Sequence, residues 1–145
     1  MSEQIYVGAD HAGFALKQKL VGALKQLGYD PVDVGPKQLD PQDDYPDFAK
    51  PVAEAVSEGK VARGVLTCGT GLGMSFAANR FPHVRAAVVW SPEVAELARK
   101  HNDANILVLP SRFVSDDEGL AILKTWLDTP FEGGRHQRRV DKIDD

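Results

Sequence analysis

Short runs of β-branched and aromatic residues alternate along this chain with longer stretches of helical period, and this alternation constrains the fold more than any other feature. The run IYVGA (Ile5 to Ala9) has the apolar makeup of a buried strand. After the turn-like DHAG, residues Phe14, Leu16, Leu20, Ala23, Leu24 and Leu27 recur at helical spacing, and Gly28 offers a stop. DPVDVG reads as a second strand, and Asp40 to Pro46 as a Pro/Asp-rich loop. Phe48 to Ser57 predicts a helix with Phe48, Val52, Ala55 and Val56 on one face. ARGVLTC is a third strand, Leu72 to Asn79 a third helix, and VRAAVVW a fourth strand. Pro92 stands where a first helical turn tolerates proline, with EVAELARKH behind it. ANILVLP is the fifth strand and Asp116 to Asp128 the fifth helix, before a short basic segment, GGRHQRRVDKIDD.

Unbroken apolar strands separated by helices predict a parallel sheet covered on both faces. The expected architecture is a three-layer α/β/α, Rossmann-like fold with a five-stranded parallel sheet and a C-terminal helical tail. A length of 145 residues, with no repeat or low-complexity tract, suggests one domain over 1–145. In such sheets ligands bind beyond the carboxyl ends of the strands.

The bulk chemistry narrows the function. A net charge of −4 argues against a nucleic-acid or membrane-surface binder, which needs a basic face. No apolar run approaches the ~20 residues of a spanning helix. The start has no basic segment followed by an apolar one, so no export signal is expected. The single cysteine, Cys68, forms no internal disulfide, which together with the missing signal suggests a cytoplasmic setting. No Cys/His spacing of the zinc type is present, so no metal is expected.

Polar groups collect at strand ends. Strand one ends in Asp10-His11, and strand three in Cys68-Gly69-Thr70-Gly71-Leu72-Gly73; the fold predicts that these are neighbours. His101-Asn102-Asp103 follow the fourth helix, and the fold alone does not bring them in. Glycines in that loop let backbone N–H groups approach a phosphate or oxyanion, although the same glycines also suit a plain tight turn. The pattern lacks the spacing of a dinucleotide fingerprint and the Gly-Lys-Ser/Thr of a P-loop. Met74 stands where a cysteine-based phosphatase would want an arginine. Cys68 sits at a strand end beside a helix start that favours a thiolate, whereas a packing role would make it a small hydrophobe. Asp10 suits an N-cap. His101 suits a helix C-terminus as a cation. Arg135 and Arg139 are spaced i, i+4 and would share a helix face, either as a phosphate clamp or as a solvated basic end.

The segments GADHAGFALK, DYPDFA, CGTGLGMSFAANR, RKHNDANILVLPSR and FEGGRHQRRV run in order over nearly the whole chain. Together they resemble the type B ribose-5-phosphate isomerases and their galactose- and allose-6-phosphate isomerase relatives. That resemblance implies an aldose–ketose isomerase acting on ribose 5-phosphate and ribulose 5-phosphate through an enediolate, with no cofactor. A six-carbon 6-phosphate is the alternative substrate, and a non-catalytic sugar-phosphate binder the alternative class. The resemblance implies Cys68 as the base and Thr70, with the amides of Gly69, Gly71 and Gly73, as the oxyanion cradle. It implies His101 for ring opening, helped by Asp10, and His11, Arg135 and Arg139 for the phosphate. Tyr45, Ser75 and Asn102 match further pocket positions. The resemblance also implies a homodimer, extendable to a homotetramer, in which the neighbour supplies His101, Asn102 and Arg112. Trp90 is bulky and receives no role.

Overall fold

The computed structural model describes residues 2–145. Five strands and six helices follow one another: β1 (Gln4–Ala9), α1 (Phe14–Gln26), β2 (Asp30–Asp33), α2 (Pro46–Ser57), β3 (Arg63–Cys68), α3 (Leu72–Ala78), β4 (Ala86–Val88), α4 (Pro92–Asn102), β5 (Ile106–Pro110), α5 (Asp116–Asp128) and α6 (Arg135–Asp144). A single 3-10 turn, His11–Gly13, joins β1 to α1. The strands form one parallel sheet in the order β2-β1-β3-β5-β4. The expected three-layer α/β/α architecture is therefore the observed one.

Strand alternation sorts the core into two halves. Ile5, Val7, Val65, Leu107 and Leu109 face Leu16, Leu20 and Leu24 of α1, Ala95 and Ala98 of α4, and Ile122, Leu123 and Trp126 of α5. Leu66, Cys68, Ile106 and Val108 point the other way, onto Ala49, Val52 and Ala53 of α2 and Met74 and Ala78 of α3. Period-2 side chains thus feed both helical layers, and this explains why the strands are apolar throughout.

Three boundaries differ from expectation, each for a local reason. α2 begins at Pro46, because proline suits the first helical turn as well as a loop. β2 stops at Asp33, whose Oδ1 accepts from the Gly35 amide two residues on. β4 is only three residues long. It is an edge strand, and the Asn79 side chain pairs with the backbone of Ala86, donating at 3.0 Å and accepting at 2.8 Å. That contact satisfies part of the open edge without a further strand.

The closest backbone approach lies under the first loop. A Cβ on Gly13 would stand 2.4 Å from the carbonyl oxygen of Thr67. Only glycine lets the turn after β1 lie directly on the end of β3, and this brings two strand-end loops together.

Candidate active site

Two groups of polar residues emerge, one at each edge of the sheet. The first gathers where β1, β3 and β5 end. Cys68 closes β3 and is only 5% exposed, with its side chain in the α2/α3 half of the core. Its carbonyl accepts from the backbone amide of Ser111 at 2.9 Å and from the Ser111 hydroxyl at 3.2 Å. The same hydroxyl donates to the Ala12 carbonyl at 2.8 Å, so Ser111 ties together the loops that follow all three strands. Thr70 is exposed, and its Oγ1 accepts from the Leu72 amide at 3.2 Å. Gly71 has φ +76°, a conformation that favours glycine, and opens α3. Ser75 is buried and donates to the Leu72 carbonyl at 2.7 Å. The ring of Tyr45 fills the space beside Gly73, where a Cβ would stand 2.6 Å from it.

Asp10 and His11 join this edge. The Asp10 amide donates to the Thr67 carbonyl at 3.3 Å, and its buried carboxylate accepts from Gly13 N at 3.1 Å. Asp10 is therefore an N-cap as well as a strand-end carboxylate. The Nδ1 of His11 lies 2.8 Å from Asp43 Oδ1, and its backbone amide donates to the same oxygen at 3.1 Å. The hydrogen bond to Asp43 is the main cause that raises the pKa of His11 above the ordinary histidine value. Asp10 adds to the rise, and burial and the Arg112 guanidinium oppose it.

Arg112 lies against its own chain's glycine loop. Its amide donates to the Gly69 carbonyl at 3.0 Å, and a Cβ on Gly69 would meet its Nε at 3.0 Å. The cause is register: Pro110 pairs with Cys68, so the turn just after Pro110 folds back over the residues just after Cys68.

The second group lies at the opposite edge. His101 and Asn102 are the last two residues of α4, shortly before β5 begins at Ile106, opposite Gly64. Cys68 stands at the other end of that ladder, and the four steps of strand between them span roughly 13 Å. Arg135 and Arg139 follow on α6, both exposed and without a salt bridge among the described residues. The ring of His101 stacks on that of His136, with centroids 4.3 Å apart and planes 13° from parallel. Burial is the main cause that lowers the pKa of His136, and His101 beside it acts in the same direction. Arg99 holds this edge together by donating to Asp103, Ala104 and Thr129. Nearby, a cleft of about 660 Å³ is lined by Arg80, His83, Arg85, Asn102 and Asp144 among others, and does not include Cys68.

The chain thus brings together Cys68, Asp10, His11, Tyr45, Gly69, Thr70, Gly71, Gly73, Ser75 and Arg112 at one edge. It holds His101, Asn102, Arg135 and Arg139 at the other. Asp43 and His136 went unnoticed in the sequence. Asp43 reaches His11 across a chain separation that no spacing rule signals, and His136 was hidden between the arginines that drew attention. Two trios, Asp10–His11–Asp43 and His101–Glu132–His136, each place three potential metal-ligand atoms within 4.8 Å of one another. In the first trio, Asp10 and Asp43 are already engaged as hydrogen-bond acceptors. No helix among the described residues is long and apolar enough to cross a membrane.

Comparison with known proteins gives a consistent outcome. The family model described as Ribose/Galactose Isomerase matches residues 5–143. A probable ribose-5-phosphate isomerase B of Mycoplasma genitalium is 48% identical over 144 residues, 99% of this chain and 95% of the relative. The ribose-5-phosphate isomerase B of Escherichia coli K12 is 44% identical over 141 residues, 97% of this chain and 94% of the relative. The crystal structure of ribose-5-phosphate isomerase B from Mycoplasma genitalium with bound ribulose-5-phosphate superposes with a TM-score of 0.96. That pair is 48% identical and covers 99% of this chain and 95% of the other.

Proposed function

The chain belongs to the ribose/galactose isomerase family, and from that membership we propose that it interconverts D-ribose 5-phosphate and D-ribulose 5-phosphate. The observation that carries the reading is the convergence at one sheet edge of a thiol, a glycine loop, a histidine and an arginine. These are the groups that a proton transfer beside a clamped phosphate requires. The expected setting is the cytoplasm, with residues 1–145 acting as one domain.

In the proposed mechanism the Cys68 sulfur takes the proton from C2 of the open-chain aldose. Electrons flow onto the C1 carbonyl oxygen, giving an enediolate; the proton of the C2 hydroxyl passes to the C1 oxygen, and the thiol returns its proton to C1 as the C2 carbonyl of the ketose forms. Thr70 and the loop amides at Gly69, Gly71 and Gly73 stand where negative charge develops on oxygen. Preorganised donors of this kind are each worth roughly 10²–10³ in turnover. His11 and Arg112 hold the phosphate from the Cys68 side, and their distance from the reacting carbons turns binding energy into positioning. Tyr45 and Ser75 shape the same pocket.

His101 opens the furanose ring, with Asp10 assisting across the site, while Asn102, Arg135 and Arg139 complete the grip. Within one chain His101, Asn102, Arg135 and Arg139 stand a strand's length from Cys68. A symmetric pair of chains brings the strand-start edge of one onto the strand-end edge of the other, so each site draws on two subunits. The surface beside the glycine loop supports such a homodimer. Leu72 and Phe76 are 51% and 68% exposed, one turn apart on α3, and Phe113 and Trp90 are 70% and 59% exposed after β5 and β4. Contiguous exposed apolar patches mark partner surfaces, and these four side chains all follow strand ends on the face that such a pairing would cover. Pairing of dimers into a homotetramer extends the same reading.

The test is an isomerase assay on five- and six-carbon aldose phosphates with wild type and Cys68→Ala. A positioned base contributes roughly 10²–10⁴-fold. The variant is expected to lose activity on that scale while keeping a cooperative thermal transition near that of wild type. Near-normal turnover would remove Cys68 as the base, and a preference for a six-carbon phosphate would move the substrate assignment.

A further inference from the structure

The loop between β2 and α2 contributes a residue to this site for which the mechanism above has no use. Asp43 is half-buried, with only 8% of its side chain exposed. Its Oδ1 accepts twice from His11, from the amide and from Nδ1. Its Oδ2 is buried and has no hydrogen-bond partner among the described residues. A carboxylate only accepts, so the proton of this contact belongs to His11 Nδ1. The tautomer of the imidazole is therefore set from behind, and Nε2 is left on the outer side of a ring that remains 35% exposed.

Two forms of His11 follow. With a single proton, Nε2 turns a lone pair outward and repels an anion. With two, Nε2–H is a charge-assisted donor to one. The charged groups that face the ring are Asp10 from its own turn, Asp43 from the β2–α2 loop and Arg112 from the turn after β5. The carboxylates favour the doubly protonated ring and Arg112 opposes it; the direct bond to Asp43 is the largest of these influences.

We propose that Asp43 is a positioning residue that holds His11 as an outward-facing Nε2–H donor to the substrate phosphate. The inference rests on the reading of His11 as a phosphate ligand, and the sign of its pH dependence follows directly. A raised pKa keeps the cation populated to higher pH, so the His11 grip is present below that pKa and fades as pH rises through it. Asp43→Asn keeps an oxygen able to accept from Nδ1 but removes the charge that favours the cation.

The test combines NMR with kinetics on the full-length protein. The His11 imidazole is assigned by comparison with His11→Asn and titrated in wild type and in Asp43→Asn, with inorganic phosphate as the probe. The His11 midpoint is expected to fall toward the ordinary value of about 6.5 in Asp43→Asn, and phosphate affinity to fall with it. In wild type above the midpoint, the ring nitrogens should show the Nδ1–H tautomer. With ribose 5-phosphate near pH 7.5, KM should rise roughly fivefold to tenfold, more than kcat falls. The climb of KM with pH should begin at lower pH in the variant. An unchanged midpoint, a neutral wild-type ring protonated at Nε2, or an unmoved KM profile would each overturn the assignment. Should Asp43→Asn fail to fold, the wild-type tautomer alone decides. A wild type without isomerase activity would sink the isomerase reading instead, and the NMR arm would still judge Asp43.

Discussion

The two edges of the sheet are built in opposite ways. At the strand-end edge the polar groups are locked by the backbone: Asp10 to Thr67 and Gly13, Ser111 to Cys68 and Ala12, Arg112 to Gly69. At the strand-start edge Asn102 at the end of α4 and Arg135 and Arg139 on α6 are exposed. Only His101 there has a ring partner, His136. The first edge is preorganised and short of cationic reach. The second offers cationic reach and has no cradle. Catalysis by positioned groups favours rigid elements near the chemistry, and long charged side chains serve where an anion must be gathered in. The two edges are complementary, and their separation in one chain is what a shared site would require.

The most forceful way to break this comparison is to cripple one edge in each of two chains. Cys68→Ala and His101→Ala are each expected to fall roughly 10²–10⁴-fold as separate proteins. Co-expressed with two tags and isolated as the mixed dimer, they should regain about half the wild-type activity, because one of the two sites then has both edges intact. Mixed dimers as inactive as their parents would show that each site draws both groups from one chain, and would remove the shared site.

Much of this arrangement was legible in the sequence, and the rest was not for identifiable reasons. The alternation of strand and helix periods carries the element order. The apolar content of VLTC and ILVLP carries the burial of β3 and β5, because a strand covered on both faces has no polar side to show. Asp10-His11 and the glycine loop were expected to meet, and β1 does pair with β3. The contact of Arg112 with Gly69 of its own chain was not legible, because it depends on the register between β3 and β5, which no single run reveals. Asp43 was missed because its partner lies 32 residues away across a loop without regular period. β4 shrank because its outer edge meets a side chain, Asn79, rather than a strand.

A second break targets the rigidity of the first edge. The Cβ of Gly13→Ala would press within 2.4 Å of the Thr67 carbonyl oxygen and 2.7 Å of its carbon, both backbone atoms that no rotamer change can move. The turn carrying Asp10 and His11 must lift from the end of β3. Overpacking of this kind costs about 1–3 kcal/mol, and here the upper part of that range is expected in chemical denaturation, together with a fall in kcat. Gly22→Ala is the control, since a Cβ on Gly22 meets nothing within 4 Å and helix propensity favours alanine. If both variants were equally stable and active, the strand-end edge would not be the rigid cradle described.

The mildest test separates the edges by kinetic signature. Arg139 is exposed on α6, one turn beyond Arg135, and makes no salt bridge among the described residues. Removing it should therefore leave the melting temperature almost unchanged, since surface substitutions of this kind fall within about 0.5 kcal/mol. On the proposed reading, what is lost is one charge-assisted contact to a phosphate remote from the reacting carbons, so KM should rise about tenfold with kcat largely kept. The rise should shrink at high salt, because exposed charge attraction is screened over about 8–10 Å at physiological ionic strength. A variant that loses kcat while KM holds would place Arg139 beside the reacting carbons, and the division into a cradle edge and a gathering edge would fail.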